Sequence, residues 1–512
     1  SISNSIGSLR FLSTNNWRDF VESISSVEKI LRSDTNDIYP LMDFRTRDDY
    51  RHMVEKLAKG STRAESEIAR MAVEMAKEGI AEQPEYLRAG HVGYYLIGKG
   101  LKKLEKAADV KFTFPEKIER ICRKMPLFLY TTFSFIGALF FAGALIRQEY
   151  LNGLYNPWIL GIVGFFTLIA CSQLSITLIN WASTIIVKPL VLPRMNFSHG
   201  IPDTYRTLVV VPSLFNDLKE LEELIDGLEV RFLANRDPNI HFALLTDFKD
   251  SKTETRPGED ELIFEARNRI KNLNERYGKE KNEIFFMFHR PRKYNPKDRI
   301  WMGYERKRGK LAEMNALLRG RGKENFSLIV GEAESYEKVK YVITLDTDTQ
   351  LPRDAGWKIA GTMAHPMNHP FYSEKKQRVV EGYGILQPRV AVSLPTEDST
   401  IYARMHENEP GIDPYTRAIS DVYQDLFGEG SFIGKGIYDV DAFEKALKGR
   451  FPENRILSHD LLEGSYARCG LLSDVQLYEA YPKRYDVDMK RRHRWIRGDW
   501  QIASWLWPWV PG

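Results

Sequence analysis

The chain has 512 residues, 43% of them hydrophobic and 28% charged, a length that admits several domains and places no limit on a large core. Its 73 basic and 69 acidic groups leave a net charge of +4 without any long block of one sign, which argues against a nucleic-acid partner. Cys122, Cys171 and Cys469 are scattered and odd in number, which argues against a disulfide framework or a paired-thiolate zinc site and fits a reducing compartment.

Residues 1–124 read as a helical region. Segments such as DDYRHMVEKLAKG and RAESEIARMAVEMAKEGI carry apolar residues at three- and four-residue spacing. Ser61 or Thr62 followed by Glu65 resembles a capping box. His52 and His91 are isolated and read as surface or core histidines rather than ligands. With no catalytic spacing, this block reads as an interaction or regulatory region.

Two apolar runs follow, at 125–146 and 158–187. Each exceeds the roughly 20 residues needed to cross a bilayer as a helix, and neither contains Asp, Glu, Lys or Arg. A backbone in hydrocarbon must satisfy its own hydrogen bonds, so two transmembrane helices are expected over 125–187, with buried core helices as the alternative. Arg120, Arg123 and Lys124 precede the first run and Lys188 and Arg194 follow the second, whereas the connection holds only Arg147 as a base. The positive-inside rule then puts both flanks in the cytoplasm.

After a linker at 188–206 the pattern turns to short β-rich runs between helices. TLVVVP (207–212), HFALLTD (241–247), IFFMFH (284–289) and YVITLD (341–346) read as buried strands, and LKELEELIDGLEVRFLAN and a stretch near 260–276 as helices. This alternation predicts a doubly wound α/β domain over 207–500 with helices on both faces, which binds ligands beyond the carboxyl ends of its strands. The segment 501–512 reads as the start of an interfacial or membrane segment, with Trp500, Trp505, Trp507 and Trp509 as an aromatic tail. The chain opens without Met and stops in WLWPWVPG, so a slice of a longer polypeptide is expected.

The residues that carry chemistry fall at those carboxyl ends. Asp247 ends the strand HFALLTD and could meet a nucleoside, although an aspartate there is more often a turn former. Asp346 and Asp348 follow a β-branched and aromatic run. In an extended chain, residues i and i+2 project to the same side, so two carboxylates converge as a divalent ion bridging a diphosphate requires. Asp439/Asp441 and Asp486/Asp488 show the same spacing without that context. In ERKRGKLAEMN (305–315), Lys310 could reach a phosphate while Gly309 lets the backbone come close. GEGSFIGKGIYDVDAF (428–443) is dense in glycine, which suits close backbone approach to a ligand or strand. In ILSHDLLEG (456–464), Asp460 or Glu463 could serve as general base, with His459 as a cap or neutral donor. KRRHRWIRGDWQ (490–501) sets Arg491, Arg494 and Trp495 on neighbouring turns, suited to phosphate and to stacking, or to an amphipathic helix on a membrane surface.

The ordered series Asp247, Asp346-Thr347-Asp348, His459-Asp460 and Arg491-Arg492-His493-Arg494-Trp495 resembles the membrane-integrated inverting glycosyltransferases of the cellulose and chitin synthase type. His459-Asp460 stands where the usual motif has Glu-Asp, and Arg491 where it has glutamine. LDTDTQLPRDAGWKIAGTMAHPMNHP, FGEGSFIGKGIYDVDAF and the helical N-terminal block are similar to cyclic β-1,2-glucan synthases. The resemblance implies a GT-A-like domain, UDP-glucose as donor, Mg²⁺ or Mn²⁺ as cofactor, and a growing β-1,2-glucan primed on the protein. It also implies a multi-pass protein of the bacterial inner membrane, with further membrane spans and glycoside-processing domains beyond this chain. By the same likeness Asp247 would contact uridine, Asp346 the nucleotide, Asp348 the metal, and Arg491, Arg494 and Trp495 the pyrophosphate and acceptor. Asp460 would be the base. Tyr294 and Tyr304, in the basic loop before Lys310, are the candidate self-glucosylated acceptors. The rival readings are a same-fold synthase of another β-glucan (osmoregulated periplasmic, chitin- or cellulose-like) and a non-enzymatic membrane scaffold.

Overall fold

A computed structural model describes residues 17–34, 36–83, 86–278, 283–393, 400–405, 421–456, 459–507 and 510. The chain separates into two compact units, the first formed by residues 1–118, 193–196 and 364–368 and the second by the remainder.

The first unit is helical, with helices at Trp17–Ile24, Ser26–Leu31, Phe44–Lys59, Glu65–Glu82, Val92–Leu96 and Leu101–Ala107. Its core includes Leu31, Tyr39, Met42, Tyr50, Val54 and Ile68. His52 is exposed, whereas His91 is fully buried, held at Nδ1 by Asp34 at 3.0 Å and at Nε2 by the Tyr50 hydroxyl at 3.3 Å. The expected capping box does not form. The helix starts at Glu65 behind Ala64, and the Ser61 hydroxyl donates instead to the carbonyl of Ala108, a partner distant in sequence that no local pattern announces.

The second unit opens with two helices, Pro126–Leu151 and Pro157–Ile186, each long and apolar enough to cross a membrane. Only 11% of each apolar window is buried, unlike the core helices of a soluble domain. The two approach closely because small residues line the seam: Ala138, Ala142, Cys171 and Ser175 are buried, and a Cβ on Gly137 would lie 2.3 Å from the Ser175 hydroxyl. The Tyr130 hydroxyl donates to Asn180 Oδ1 at 2.8 Å and the Ser175 hydroxyl to the Ser134 carbonyl at 2.8 Å, so two hydrogen bonds tie the pair together.

The strands are β1 Thr207–Leu214, β2 Ile240–Asp247, β3 Phe285–Arg290, β4 Lys293–Asn295, β5 Ile300–Met302, β6 Leu328–Val330, β7 Tyr341–Thr344, β8 Phe371–Ser373, β9 Arg378–Glu381, β10 Ile385–Val392, β11 Gly436–Asp439 and β12 Cys469–Glu479. Eight of them form one sheet in the order β12-β10-β11-β7-β1-β2-β3-β6, and β4-β5 and β8-β9 are separate two-stranded ribbons. The strands read from the sequence are all present. The sheet is mixed rather than uniformly doubly wound: β7-β1-β2-β3 run parallel, but β11 is antiparallel to both β7 and β10, and β6 is antiparallel to β3. β11 enters from a glycine-rich segment too short to show a period, so its direction was not visible in the pattern.

Both faces of the central strands are covered, which is why those strands read as continuous apolar runs. On one face Leu208, Val210, Ala243, Leu245, Phe286 and Phe288 pack with Leu311, Met314 and Leu317 of the helix Arg306–Leu317. On the other, Phe232 of the helix Leu218–Ala234 meets Phe242 and Phe285 edge-on, with ring centroids 5.8 and 5.1 Å apart. This packing fixes the carboxyl ends of β1, β2 and β7 at one edge.

Candidate functional site

Asp247, the last residue of β2, is buried in a cluster of charges rather than open at the sheet edge. Arg290 at the end of β3 embraces it with Nε–Oδ1 2.8 Å and Nη2–Oδ2 2.9 Å, and Lys310 Nζ lies 3.2 Å from Oδ2. Arg290 also reaches Glu313 at 2.8 Å, and Lys310 donates to the Ser213 carbonyl at 2.7 Å. Burial opposes ionisation of Asp247, but Lys310 and Arg290 outweigh it and hold the carboxyl below its usual range. Gly303 passes so close that a Cβ there would fall 2.0 Å from Asp247 Oδ2. Lys310, expected to face a phosphate, therefore spends its charge inside this cluster. The lysine beside the acidic turn is Lys307, one helical turn earlier.

β7 ends at Thr344, and Asp346-Thr347-Asp348 lie beyond it in a turn closed by Thr349 N–H to the Asp346 carbonyl at 3.1 Å. The carboxylates thus converge through a turn, not through the extended i, i+2 geometry that the sequence suggested. Glu479, at the end of β12, joins them: the carboxylate oxygens of Asp346, Asp348 and Glu479 lie within 4.8 Å of one another. The bridge between Gln350 and Tyr478 and the Thr349 hydroxyl, 2.6 Å from Glu479 Oε1, bring it there. Three oxygen donors of this kind suit a hard divalent ion. Burial, then the charges of Glu479 and Asp346, push the Asp348 carboxyl above its usual value.

Two ammoniums offset this acidity. Lys307 Nζ is 2.6 Å from Asp346 Oδ1, and Lys435 Nζ is 3.2 Å from Asp346 Oδ2 and 2.7 Å from Glu479 Oε1. Burial works against the ionised form of Asp346, but Lys307 and Lys435 outweigh it and hold its carboxyl below the usual range. Behind the turn, the buried guanidinium of Arg231 donates to the carbonyls of Thr347 at 2.8 Å and Thr349 at 2.8 Å. Those acceptors face inward, which leaves the turn's carboxylates to the outside.

Lys307 links this cluster to the candidate base. Its ammonium also donates to the Gly434 carbonyl at 2.9 Å. Gly434 sits at φ +83°, and a Cβ there would meet the Asp460 carboxylate oxygens at 2.9 and 3.0 Å. Only glycine fits, and the glycine density of 428–436 is accounted for at this position by close approach to a carboxylate. Asp460 opens the helix Asp460–Ala467. The buried His459 Nδ1 stands 2.9 Å from Glu463 Oε1 and 3.5 Å from Asp460 Oδ1. Burial disfavours the imidazolium, but Glu463 and Asp460 outweigh it, so the His459 pKa is raised. His459 stands at the N-cap of this helix without a capping bond from its side chain, and Glu463 is the carboxylate nearest its ring.

The helix Tyr485–Ile502 carries the remaining motif. The Arg491 guanidinium stacks over the Trp495 ring at 4.8 Å and the Tyr481 ring at 5.5 Å while donating to Asp488 at 2.8 Å, and Arg494 is exposed. Tyr294, on β4, is 48% exposed with its ring against Trp301. The Tyr304 hydroxyl donates to Glu453 at 3.3 Å. Asp439 caps the helix Val440–Leu447, Asp441 pairs with Arg319, and Asp488 is buried between Arg491 and Arg492, so the other Asp-x-Asp spacings are structural. Trp500 and Trp507 are exposed, and Trp509 lies outside the described residues. Lys307, Lys435, Glu479 and Arg231 were not singled out from the sequence. A basic run and a glycine-flanked lysine were the only signals for the first two, and the last two had none.

No family model matches the chain. Over 512 residues, 99% of its length, it is 41% identical to the cyclic beta-(1,2)-glucan synthase NdvB of Rhizobium meliloti (strain 1021), and it spans 18% of that protein's length. The resemblance carried by the motifs thus extends along the whole chain, which is in sequence a relative of one segment of a cyclic β-(1,2)-glucan synthase.

Proposed function

We propose that this chain is the polymerising module of a cyclic β-1,2-glucan synthase, an inverting transferase that moves glucose from UDP-glucose to a growing β-1,2-glucan. The observation that carries the reading is the meeting of an acidic turn and a separate carboxylate, Asp460, at one edge of the sheet, joined through Lys307 and Gly434. Residues 207–500 form the GT-A-like catalytic domain. The helices Pro126–Leu151 and Pro157–Ile186 anchor it in the inner membrane with the domain on the cytoplasmic side.

In this reading Asp348, with Asp346 and Glu479, holds Mg²⁺ or Mn²⁺, which neutralises charge on the departing diphosphate when bound. Asp460 takes the proton of the acceptor hydroxyl as its oxygen attacks the anomeric carbon from the face opposite the phosphate. The anomeric C–O bond breaks, its electron pair leaves on UDP, and the configuration inverts. His459, 2.9 Å from Glu463, lies 3.5 Å from the Asp460 carboxylate and lends it a neighbouring dipole or charge. Asp247 and Lys310 set the floor beneath the nucleoside, while Arg491, Arg494 and Trp495 serve pyrophosphate and acceptor. Tyr294 and Tyr304 are the acceptor tyrosines for priming, with the more exposed Tyr294 the readier of the two.

The test is incubation of the chain, in detergent or lipid, with Mg²⁺ and labelled UDP-glucose. UDP release, label on Tyr294 or Tyr304 by peptide mass spectrometry, and exclusively β-1,2 linkages are expected. Asp460→Asn is expected to cut turnover by at least ~10²-fold. A product with other linkages would transfer the chain to another β-glucan synthase, and unchanged output from Asp460→Asn would sink the enzymatic reading.

A further inference from the structure

In a site meant only for a cation, an ammonium beside a ligating carboxylate is counterproductive, because both compete for the same lone pairs. Asp346 nevertheless receives two, from Lys307 at 2.6 Å and Lys435 at 3.2 Å. The charges of Asp346, Asp348, Glu479, Lys307 and Lys435 leave the cluster with one net negative charge. A divalent cation alone would turn it net positive by one, and a dianion arriving with it restores the original balance. Without the lysines, the same cation and dianion would leave three uncompensated negative charges at one sheet edge. The arrangement is thus matched to an anion of about two charges in addition to a cation.

The two lysines are not equivalent. The Lys435 side chain is 9% exposed and is fixed between Asp346 and Glu479, as a strut between the acidic turn and the end of β12. The Lys307 side chain is 27% exposed, sits on the helix Arg306–Leu317 and holds Asp346 on one side and the Gly434 carbonyl on the other. The Gly434 carbonyl belongs to a buried residue, but the Asp346 side chain is 38% exposed, so the Asp346 side of this contact is open to a ligand.

We propose that Lys307 is the diphosphate-binding lysine of this site, its ammonium passing from Asp346 to a phosphate oxygen when a nucleoside diphosphate binds, while Lys435 stays in place as the strut. This rests on the reading of the site as one for a nucleotide sugar and deepens it. Lys435 keeps the acidic turn and Glu479 at fixed separation, and Lys307 supplies the charge that answers the leaving group. Because Lys307 also holds the loop against which Asp460 lies, its transfer signals donor binding to the candidate base. Lys310, the lysine that the sequence favoured for phosphate, is committed to Asp247 and is assigned no such part.

The experiment is calorimetric titration of the intact chain with UDP and, separately, with uridine, in Mg²⁺-containing detergent buffer, for wild type, Lys307→Met, Lys307→Gln and Lys307→Arg. A charge-assisted contact to phosphate predicts that Lys307→Met and Lys307→Gln weaken UDP by about 10- to 100-fold and leave uridine unchanged. Lys307→Arg is expected to stay within about threefold of wild type, because a guanidinium also serves phosphate. Thermal unfolding of each variant separates loss of fold from loss of the contact, and the glutamine variant carries the test if the methionine variant does not fold. Wild-type preference for UDP over uridine that survives both neutral substitutions overturns the lysine assignment while leaving the nucleotide reading standing. Absence of UDP affinity in wild type overturns both.

Discussion

Asp247→Asn tests what the aspartate at the end of β2 is for. The substitution keeps the shape of the side chain and removes one charge from a buried cluster. Arg290 retains Glu313, but Lys310, also buried, keeps the Ser213 carbonyl and, among the described residues, no other carboxylate partner. Breaking a buried pair by removing one partner costs about 3–5 kcal/mol, because the remaining charge is desolvated and uncompensated. For a unit of this size that corresponds to a fall of ~5 °C in Tm. The sign with pH follows from the lowered Asp247 carboxyl: its contribution is full above the ordinary carboxylate range, near pH 4, and is lost as pH falls below it. The assay is thermal unfolding followed by tryptophan fluorescence at pH 7 for wild type, Asp247→Asn, Lys310→Met and the double variant. The double variant is expected to be more stable than the sum of the single losses, since it removes both members of the pair. If Asp247→Asn melts with wild type yet loses UDP affinity, the cluster is not a structural hub and Asp247 is a nucleoside ligand alone.

Gly434→Ala should cut turnover by about 10²-fold through displacement of Asp460, because the new methyl meets both carboxylate oxygens near 3 Å and the backbone is left-handed; turnover within threefold of wild type would refute that placement. His241 and His289 are buried, and desolvation depresses each pKa to about 4. Both stay neutral in the fold while the unfolded chain protonates, so stability is full above pH ~6.5 and falls between there and pH 4, by up to about 2 kcal/mol per histidine at pH 5. Urea midpoints at pH 7 and pH 5 measure this, His289→Asn should reduce the difference, and equal midpoints for wild type would contradict it.

The fold was legible where burial on both faces wrote long apolar runs: β1, β2, β3 and β7 are all found where the sequence put them. The antiparallel β11 was not, since four residues beside glycines carry no period and their direction is set by pairing with β7 and β10. The same division holds in the site. Asp346 and Asp348 were legible from the strand before them, and Asp460 from its motif. Glu479 was hidden because it is acidic only in company, 131 residues beyond Asp348, and Arg231 because a helical arginine gives no sign that it will cap a distant turn. The placement of Lys310 beside Asp247 was hidden for the same reason. Two lysines one helical turn apart look alike until the sheet decides which one is buried.

The bridge between Gln350 and Tyr478 has a consequence for synthesis of the chain. The acidic turn emerges from the ribosome well before Lys435, and Glu479 emerges later still. Until β12 is made, the turn lacks both its strut and the neighbour that completes its donor set. Assembly of the acidic cluster is therefore a late event on the growing polypeptide, completed when the edge strand β12 docks on β10, because closing so long a loop is slow compared with local helix formation. A nascent chain arrested before residue 479 would carry most of the sheet and none of the finished site.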